Sequence, residues 1–336
     1  MYPIVTYFFR HPRPEYHSIE RLFGGLAQHQ NRQSGQTVAQ QVRCPHSRIT
    51  PLNLLRNCLY ARRRRGNINH ITGDVHYLAL VLPKRSTILT IHDCVLLTRY
   101  PTWHPMHWLH YYVWYKWPIG RAGVVTTISD KSKAELVQLT GTLPVTIQVI
   151  PNFCDPRFSA DKQAVPQQTK PVILQVGTGT NKNLDRLVVA VAGLVCRLVI
   201  VGELTQSQLD LLQGHQIDFQ SMTNVDFETL RHCYATASLV TFVSLYEGFG
   251  LPILEAQAMK VPVLTSDKEP MRTIAGRGAA LVDPTNLTAM RAGIKRILAN
   301  DAYRNELIEA GQRNMANYTI ERVSAQYTAL YASLAP

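Results

Sequence analysis

Four short runs in the second half of the chain most constrain its fold: PVILQVG, RLVIVG, SLVTFVS and VPVLTS. Each is nearly continuous in Val, Ile and Leu, and each is followed by a turn and a helix-like stretch. A strand wet on one side alternates apolar and polar residues. A continuous run is buried on both sides, which implies a parallel sheet covered by helices on both faces. The helical stretches fall at about 183–194, 225–237, 251–259, 286–299 and 301–317. The first half repeats the theme with IVTYFF, NINHIT, STILTIHD and GVVTTIS as strands and helices near 18–29, 105–117 and 129–140. TIQVIPN then leads into FCDPRFSADKQAVPQQTKP, a polar, proline-containing stretch without periodicity that reads as a linker near 152–170. The expectation is two doubly wound α/β domains, 1–158 and 159–317, with a helix at 318–336 packing back on the first. At 336 residues the chain is long enough for two cores. Ligands of such sheets bind at the carboxyl ends of strands, so a cleft between facing domains is the expected site.

A formal charge of +12 asks for an anionic partner, and nucleic acid, an anionic membrane surface and phosphorylated small molecules all fit. No run of 18 or more uncharged apolar residues predicts a spanning helix. MYPIVTYFFRHPRP lacks the layout of a secretory signal and reads as a first buried strand. The six cysteines are scattered without a C-x-x-C pair, which argues against a zinc site or disulfide framework and points to a reducing, cytoplasmic setting.

The stretch SLYEGFGLPILEAQAM, 244–259, concentrates the chemistry. SLVTFVS is a strand, Pro252 suits the first turn of a helix, and Gly248 and Gly250 lie in the loop between them. Glycines admit close backbone approach, and a helix N-terminus carries partial positive charge, so the loop suits a phosphate. Glu247 falls at the strand end and Glu255 on the first helical turn. The two carboxylates are either an acid–base pair about one bond or clamps at two places on one ligand.

VGTGTNKNLDRL follows the strand VILQV and holds Gly177, Thr178 and Gly179, with Asn181 or Asn183 placed to cap the next helix. It lacks the third glycine of a dinucleotide fingerprint, so NAD is not expected. Lys182 stands at the helix start, where a lysine taken alone is a solvated side chain. In TILTIHDCVLL, His92 and Asp93 stand at a strand end, where open sheets collect functional groups; a buried histidine satisfied by backbone and a turn-capping aspartate are the structural alternatives. TTISDKSKAEL offers Ser129 as an N-cap. NHITGDVHY places Gly73, Asp74 and His76 after another strand, as candidate acceptor contacts. Arg10, His11 and Arg13 are either phosphate donors or surface charges.

ARRRRG, 61–66, is either a solvated helix end or a site for lipid headgroups or a phosphorylated acceptor; without interleaved aromatics it does not indicate nucleic acid. YPTWHPMHWLHYYVWYKWPIGR, 100–121, gathers all four tryptophans, and reads equally as a core helix or as a membrane or acceptor surface.

The string E-G-F-G-L-P-x-x-E resembles the E-x7-E signature of the retaining glycosyltransferases of family 4, which have the GT-B fold. GTGTNKNLDRLV, LVIVG, GAALVDP, TIHD, TTISDKSKAEL and VIPN agree in order, over about residues 67–320. The resemblance implies transfer of a hexosyl group from a nucleotide-sugar, such as GDP-mannose or a UDP-hexose, to a saccharide or lipid-linked acceptor with retained configuration. No further cofactor or metal is implied, and no Asp-x-Asp follows a strand. By the same resemblance Glu247 contacts the donor sugar with the backbone of Gly248, Phe249, Gly250 and Leu251, Glu255 holds the ribose, Lys182 stabilises the departing diphosphate and His92 orients the sugar. Two departures stand out. Thr178 replaces a common arginine, and FFRHPRPEY replaces a Gly-Gly loop, leaving Arg10 and Arg13 in its place. Rival readings are a sugar-nucleotide epimerase or hydrolase on this frame, and a non-enzymatic basic binding protein.

Overall fold

The computed structural model describes residues 4–12, 18–33, 38–159 and 169–334. They form two units, one of residues 1–153 with 320–336 and the other of residues 154–319.

In the first unit the strands are β1 (Ile4–Phe9), β2 (Val38–Arg43), β3 (Ile68–Ile71), β4 (Thr87–Ile91), β5 (Val124–Thr127) and β6 (Ile147–Val149), in the order β2-β1-β3-β4-β5-β6. All pairings are parallel; Val5 sits opposite Ile68 on one side and Ala39 on the other. The helices are α1 (Ser18–Arg32), α2 (Pro51–Arg63), α3 (Val95–Thr98), α4 (Pro105–His110), α5 (Trp117–Arg121) and α6 (Asp130–Thr140). A π-helical turn, Tyr111–Lys116, joins α4 to α5, so the aromatic segment is helical from 105 to 121. It is split between core and surface. Trp114 and Tyr115 are buried, whereas Trp103, Trp108 and Trp117 are exposed.

The second unit holds β7 (Val172–Val176), β8 (Arg197–Val201), β9 (Phe219–Met222), β10 (Leu239–Phe242), β11 (Val263–Ser266) and β12 (Ala280–Val282), in the order β12-β11-β10-β7-β8-β9, again all parallel. Its helices are α7 (Leu184–Val191), α8 (Gln206–Gly214), α9 (Phe227–Thr236), α10 (Leu251–Ala258), α11 (Met271–Ala275), α12 (Leu287–Ala299) and α13 (Asp301–Met315). Leu187, Val188 and Val191 of α7 meet Met290, Ile294 and Ile297 of α12 over Ile173, Ile200 and Leu264 of the sheet. These are the continuous apolar runs of the sequence, buried on both faces.

The last helix, α14 (Ile320–Leu334), belongs to the first unit. Its Tyr331 hydroxyl lies 2.8 Å from His70 Nδ1 and 2.8 Å from the Tyr7 hydroxyl, in a buried polar chain that ends at Thr90 and Thr126. Cys154–Phe158, on the first-domain side of the sequence boundary, group with the second unit. The Cys154 N–H donates to the Tyr318 carbonyl at 2.9 Å, and the Phe158 ring packs edge-on against Phe227 and Tyr234. The central linker residues 160–168 and Arg13 lie outside the described residues. All six cysteines are free thiols, and among the described residues no helix is long and apolar enough to cross a membrane.

Candidate functional site

In each sheet the chain winds outward from a central strand in one direction, then returns to build on that strand's other side. At that reversal the two adjacent loops diverge and leave room for a ligand. In the second unit the reversal lies between β7 and β10, and the loops are 177–183 and 243–250.

The first loop leaves β7 through Gly177 at φ 92, turns through Thr180–Lys182, and enters α7 from Asn183 at φ 61. Gly177 is required twice. Its φ is left-handed, and a Cβ there would lie 2.9 Å from Lys182 Cε, because the lysine stem folds back across it. Lys182 then ends 2.7 Å from Glu247 Oε1, with Nζ 4.7 Å above the Phe242 ring. Asn181 ties the loops, donating to the Tyr246 carbonyl at 3.1 Å and to Glu247 Oε1 at 3.4 Å, while its own carbonyl accepts from the Leu245 N–H at 2.7 Å. Neither asparagine caps α7 through its side chain. Asn183 Nδ2 instead donates to the carbonyls of Val243 and Pro284, and so ties three strand-end loops together.

The second loop ends at Gly250, φ 123, which precedes α10 with Pro252 in its first turn, as the sequence predicts. Pro252 has no N–H and the Ile253 N–H donates to the Gly250 carbonyl at 3.0 Å, so the first turn of α10 brings the Leu251 N–H and the positive end of the helix dipole to the end of the loop that carries Glu247. The Phe249 ring is buried edge-on to Tyr318, so only its backbone is on offer to a ligand. Thr178 donates to the Glu203 carbonyl at 2.5 Å and accepts through its own carbonyl from Gln208, which fixes Gly179 and the turn beyond it.

Glu255 departs from expectation. Because α10 begins at Leu251, it opens the second turn rather than the first. It is 4% exposed, and Oε2 accepts a 2.6 Å hydrogen bond from the buried Tyr234 hydroxyl. The Glu247 side chain, at 13% exposure, is the more accessible carboxylate.

The first unit has its own reversal between β1 and β3, and there Arg10 meets Asp74 at 2.5 Å and Glu20 at 2.7 Å. Burial works against the guanidinium charge, but Glu20 and Asp74 outweigh it and raise the pKa. Arg10 is thus already engaged by two acids rather than held open for phosphate. His92 follows β4 and donates from Nε2 to the Thr72 carbonyl at 2.8 Å, leaving Nδ1 as the acceptor of the neutral ring; burial lowers its pKa and keeps it neutral. Both properties anticipated for it, strand-end placement and backbone satisfaction, are present. Asp93 caps the next turn, accepting from the Val95 N–H at 3.0 Å. His76 is a core residue. It is 5% exposed, donates from Nδ1 to the Trp114 carbonyl at 2.7 Å and lies edge-on to Tyr115, because β3 ends before it and the following turn folds inward. Ser129 caps α6 as predicted, accepting from the Ser132 N–H.

Two supporting residues escaped the sequence reading. Gln175 is fully buried in β7 and donates to the carbonyls of Gly177 and Lys182, shaping the loop from below. A lone amide in an otherwise apolar strand was the available signal. Glu20, two residues into α1, had none. Among the described residues, no group of three or more His, Cys, Asp and Glu is arranged to hold a metal.

Two Rossmann-like units of six parallel strands, with glycine-bearing loops at the reversal, define the GT-B class of glycosyltransferase folds. Sucrose-phosphate synthase from Thermosynechococcus elongatus superposes with a TM-score of 0.80 over 98% of each chain at 17% identity. Anabaena Alr3699/HepE, solved with UDP and glucose, superposes with a TM-score of 0.74 at 13% identity, over 98% of this chain and 99% of that one. Residues 157–314 match the family described as glycosyl transferases group 1, and the second unit belongs to it. The O-antigen chain mannosyltransferase B of Escherichia coli is 35% identical over 103 residues, 29% of this chain and 27% of that protein, so the match spans about a quarter of the relative's length.

Proposed function

We propose that the chain is a retaining hexosyltransferase of family 4 that moves a sugar, of mannose or glucose type, from a nucleotide-sugar to a saccharide or lipid-linked acceptor. The observation that carries this reading is the Lys182–Glu247 pair at 2.7 Å, set at the sheet reversal beside the N-terminus of α10. A cation and a helix N-terminus together suit a diphosphate. Glu247 suits the hydroxyls of the sugar joined to it, since a carboxylate accepts from two adjacent hydroxyls. The likeness to a mannosyltransferase and to a structure solved with UDP and glucose supports the donor class.

In this reading the bond between the sugar's anomeric carbon and the diphosphate oxygen breaks. The acceptor oxygen bonds to that carbon on the same face, and the acceptor's proton passes to the departing phosphate. Lys182 and the positive end of the α10 dipole, at Gly250–Ile253, stabilise the charge that develops on the diphosphate. Neutral His92 accepts a hydrogen bond from a sugar hydroxyl at Nδ1, and buried Glu255 holds the ribose once Tyr234 has set its orientation. The tie of Thr178 to Glu203 leaves Lys182 as the side-chain cation of that loop. Asp74 belongs to the acceptor side.

The test is a transfer assay with GDP-mannose and UDP-glucose on the native chain and on Glu247→Gln. The variant should lose on the order of a hundredfold or more in kcat while keeping its melting temperature. Undiminished transfer would remove Glu247 from the reaction.

A further inference from the structure

The net charge is concentrated in two segments. Residues 21–73 contain nine arginines and no carboxylate, and residues 94–129 contain three cations and no carboxylate; the rest of the chain carries 23 charges of each sign. Helix α2 lies in the first segment and the helical run Pro105–Arg121 in the second. Both pack on one core cluster, α2 through Leu54 and Cys58 and the run through Trp114 and Tyr115. Their outer faces therefore belong to one layer of the unit.

Those outer faces are unusual for a water-facing layer. On α2 and its lead-in, Ile49, Leu52, Leu55 and Leu59 are 50%, 55%, 56% and 48% exposed. At 100° per residue the three leucines form one stripe, with Arg62 on one flank and Arg56 and Arg63 on the other. Among the described residues none of these arginines meets a carboxylate. Beside the stripe opens a concavity of about 620 Å³ lined by His46, Arg56, Tyr60, Arg63 and Arg64, with the Arg64 guanidinium 4.4 Å over the Tyr60 ring. On the second run and just before it, Trp103, Trp108, Tyr112 and Trp117 are exposed, and the last three form a ladder with ring centroids 6.2 and 5.4 Å apart.

Each feature alone has an ordinary use, but together they fit one partner. A polyanion in water would take the arginines and leave the leucines wet. A leucine stripe flanked by arginines, next to tryptophans and tyrosines and free of acids, matches the boundary between anionic headgroups and acyl chains. We propose that the outer face of α2, with the neighbouring aromatic run, docks this chain on an anionic phospholipid bilayer. The leucines dip toward the acyl chains, Arg56, Arg63 and Arg64 take lipid phosphates, and the exposed aromatic rings sit at headgroup level. This does not depend on the transferase reading, because vesicle binding and sugar transfer are measured separately.

The test is flotation of the full chain with vesicles of phosphatidylcholine alone and of phosphatidylcholine mixed with phosphatidylglycerol. Only the mixed vesicles should carry the protein, and tryptophan emission should shift to the blue, because three of the four tryptophans are exposed. Arg63→Ala with Arg64→Ala should weaken binding about fivefold per arginine. Leu55→Ser with Leu59→Ser should weaken it by at least tenfold; both leucines are exposed, and circular dichroism verifies that the fold is retained. Arg277→Ala, an exposed cation of the other unit, should bind as the native chain does. Four results would overturn the proposal: no flotation with the mixed vesicles, leucine variants that bind unchanged while salt abolishes binding, an equal loss in Arg277→Ala, or release by glycerol 3-phosphate in solution. The second would indicate a polyanion site, and the last a site for a soluble phosphate.

Discussion

The two sheet reversals are built alike in topology and differently in chemistry. Between β1 and β3, Arg10 is clasped by Glu20 and Asp74, and the nearby Gly73 adopts no left-handed backbone. Between β7 and β10, three residues at φ 92, 61 and 123 shape the loops, a single lysine meets a single glutamate, and a helix N-terminus stands beside them. Positive charge alone does not make an anion site. At the first reversal the charge is already answered by two acids. At the second, a helix N-terminus and an accessible ion pair are left for a ligand to rearrange.

Glycine substitutions sharpen this contrast most. Gly177→Ala forces a left-handed alanine and drives its Cβ to 2.9 Å from the Lys182 stem, so it should lower stability by about 1–3 kcal/mol and displace the lysine from Glu247. Gly73→Ala meets Ile19 at Cγ2, 3.5 Å, and Cδ1, 3.7 Å, both ordinary contacts, and should fall within about 0.5 kcal/mol of native. Urea titrations of both proteins check the pair; equal losses would show that the second reversal has no special backbone requirement.

Acid unfolding also separates the units. His70, His76 and His92 all belong to the first unit, and burial lowers the pKa of each, that of His70 to about 3. A neutral buried histidine binds fewer protons than its unfolded counterpart below the unfolded pKa of 6.5. The stability it contributes is therefore complete above pH 6.5 and is lost as pH falls toward 3. The slope is at most about 1.4 kcal/mol per pH unit for each histidine. Calorimetric scans should show the first unit weakening across that window, less steeply in His70→Gln. A slope unchanged by that substitution would mean the ring is not held neutral.

The four strands that the sequence did not reveal, β2, β6, β9 and β12, are the four sheet edges. An edge strand is partly wet, so VAQQVR and FQSM lack the continuous apolar signature that marks β7 or β10. Helix α8 was missed for a similar reason, since QSQLDLLQG presents only a thin apolar face. Site positions on local backbone elements were legible, because Gly250, Pro252 and Ser129 declare their conformations through residue type. Long-range partners were not. Nothing near Arg10 in NHITGDVHY or SIERL announces that Asp74 and Glu20 will close on it, and nothing in LEAQAM announces that Tyr234 will hold Glu255.

The central claim is that Lys182, and not the more heavily paired Arg10, answers the donor's diphosphate. Isothermal titration of GDP and UDP into the native chain, Lys182→Met and Arg10→Met tests it, since methionine keeps much of each apolar stem while removing the charge. The account predicts that Lys182→Met weakens the preferred nucleotide by on the order of tenfold or more while Arg10→Met leaves its affinity within about twofold. Equal affinity in Lys182→Met and the native chain, or a larger loss in Arg10→Met, would contradict it.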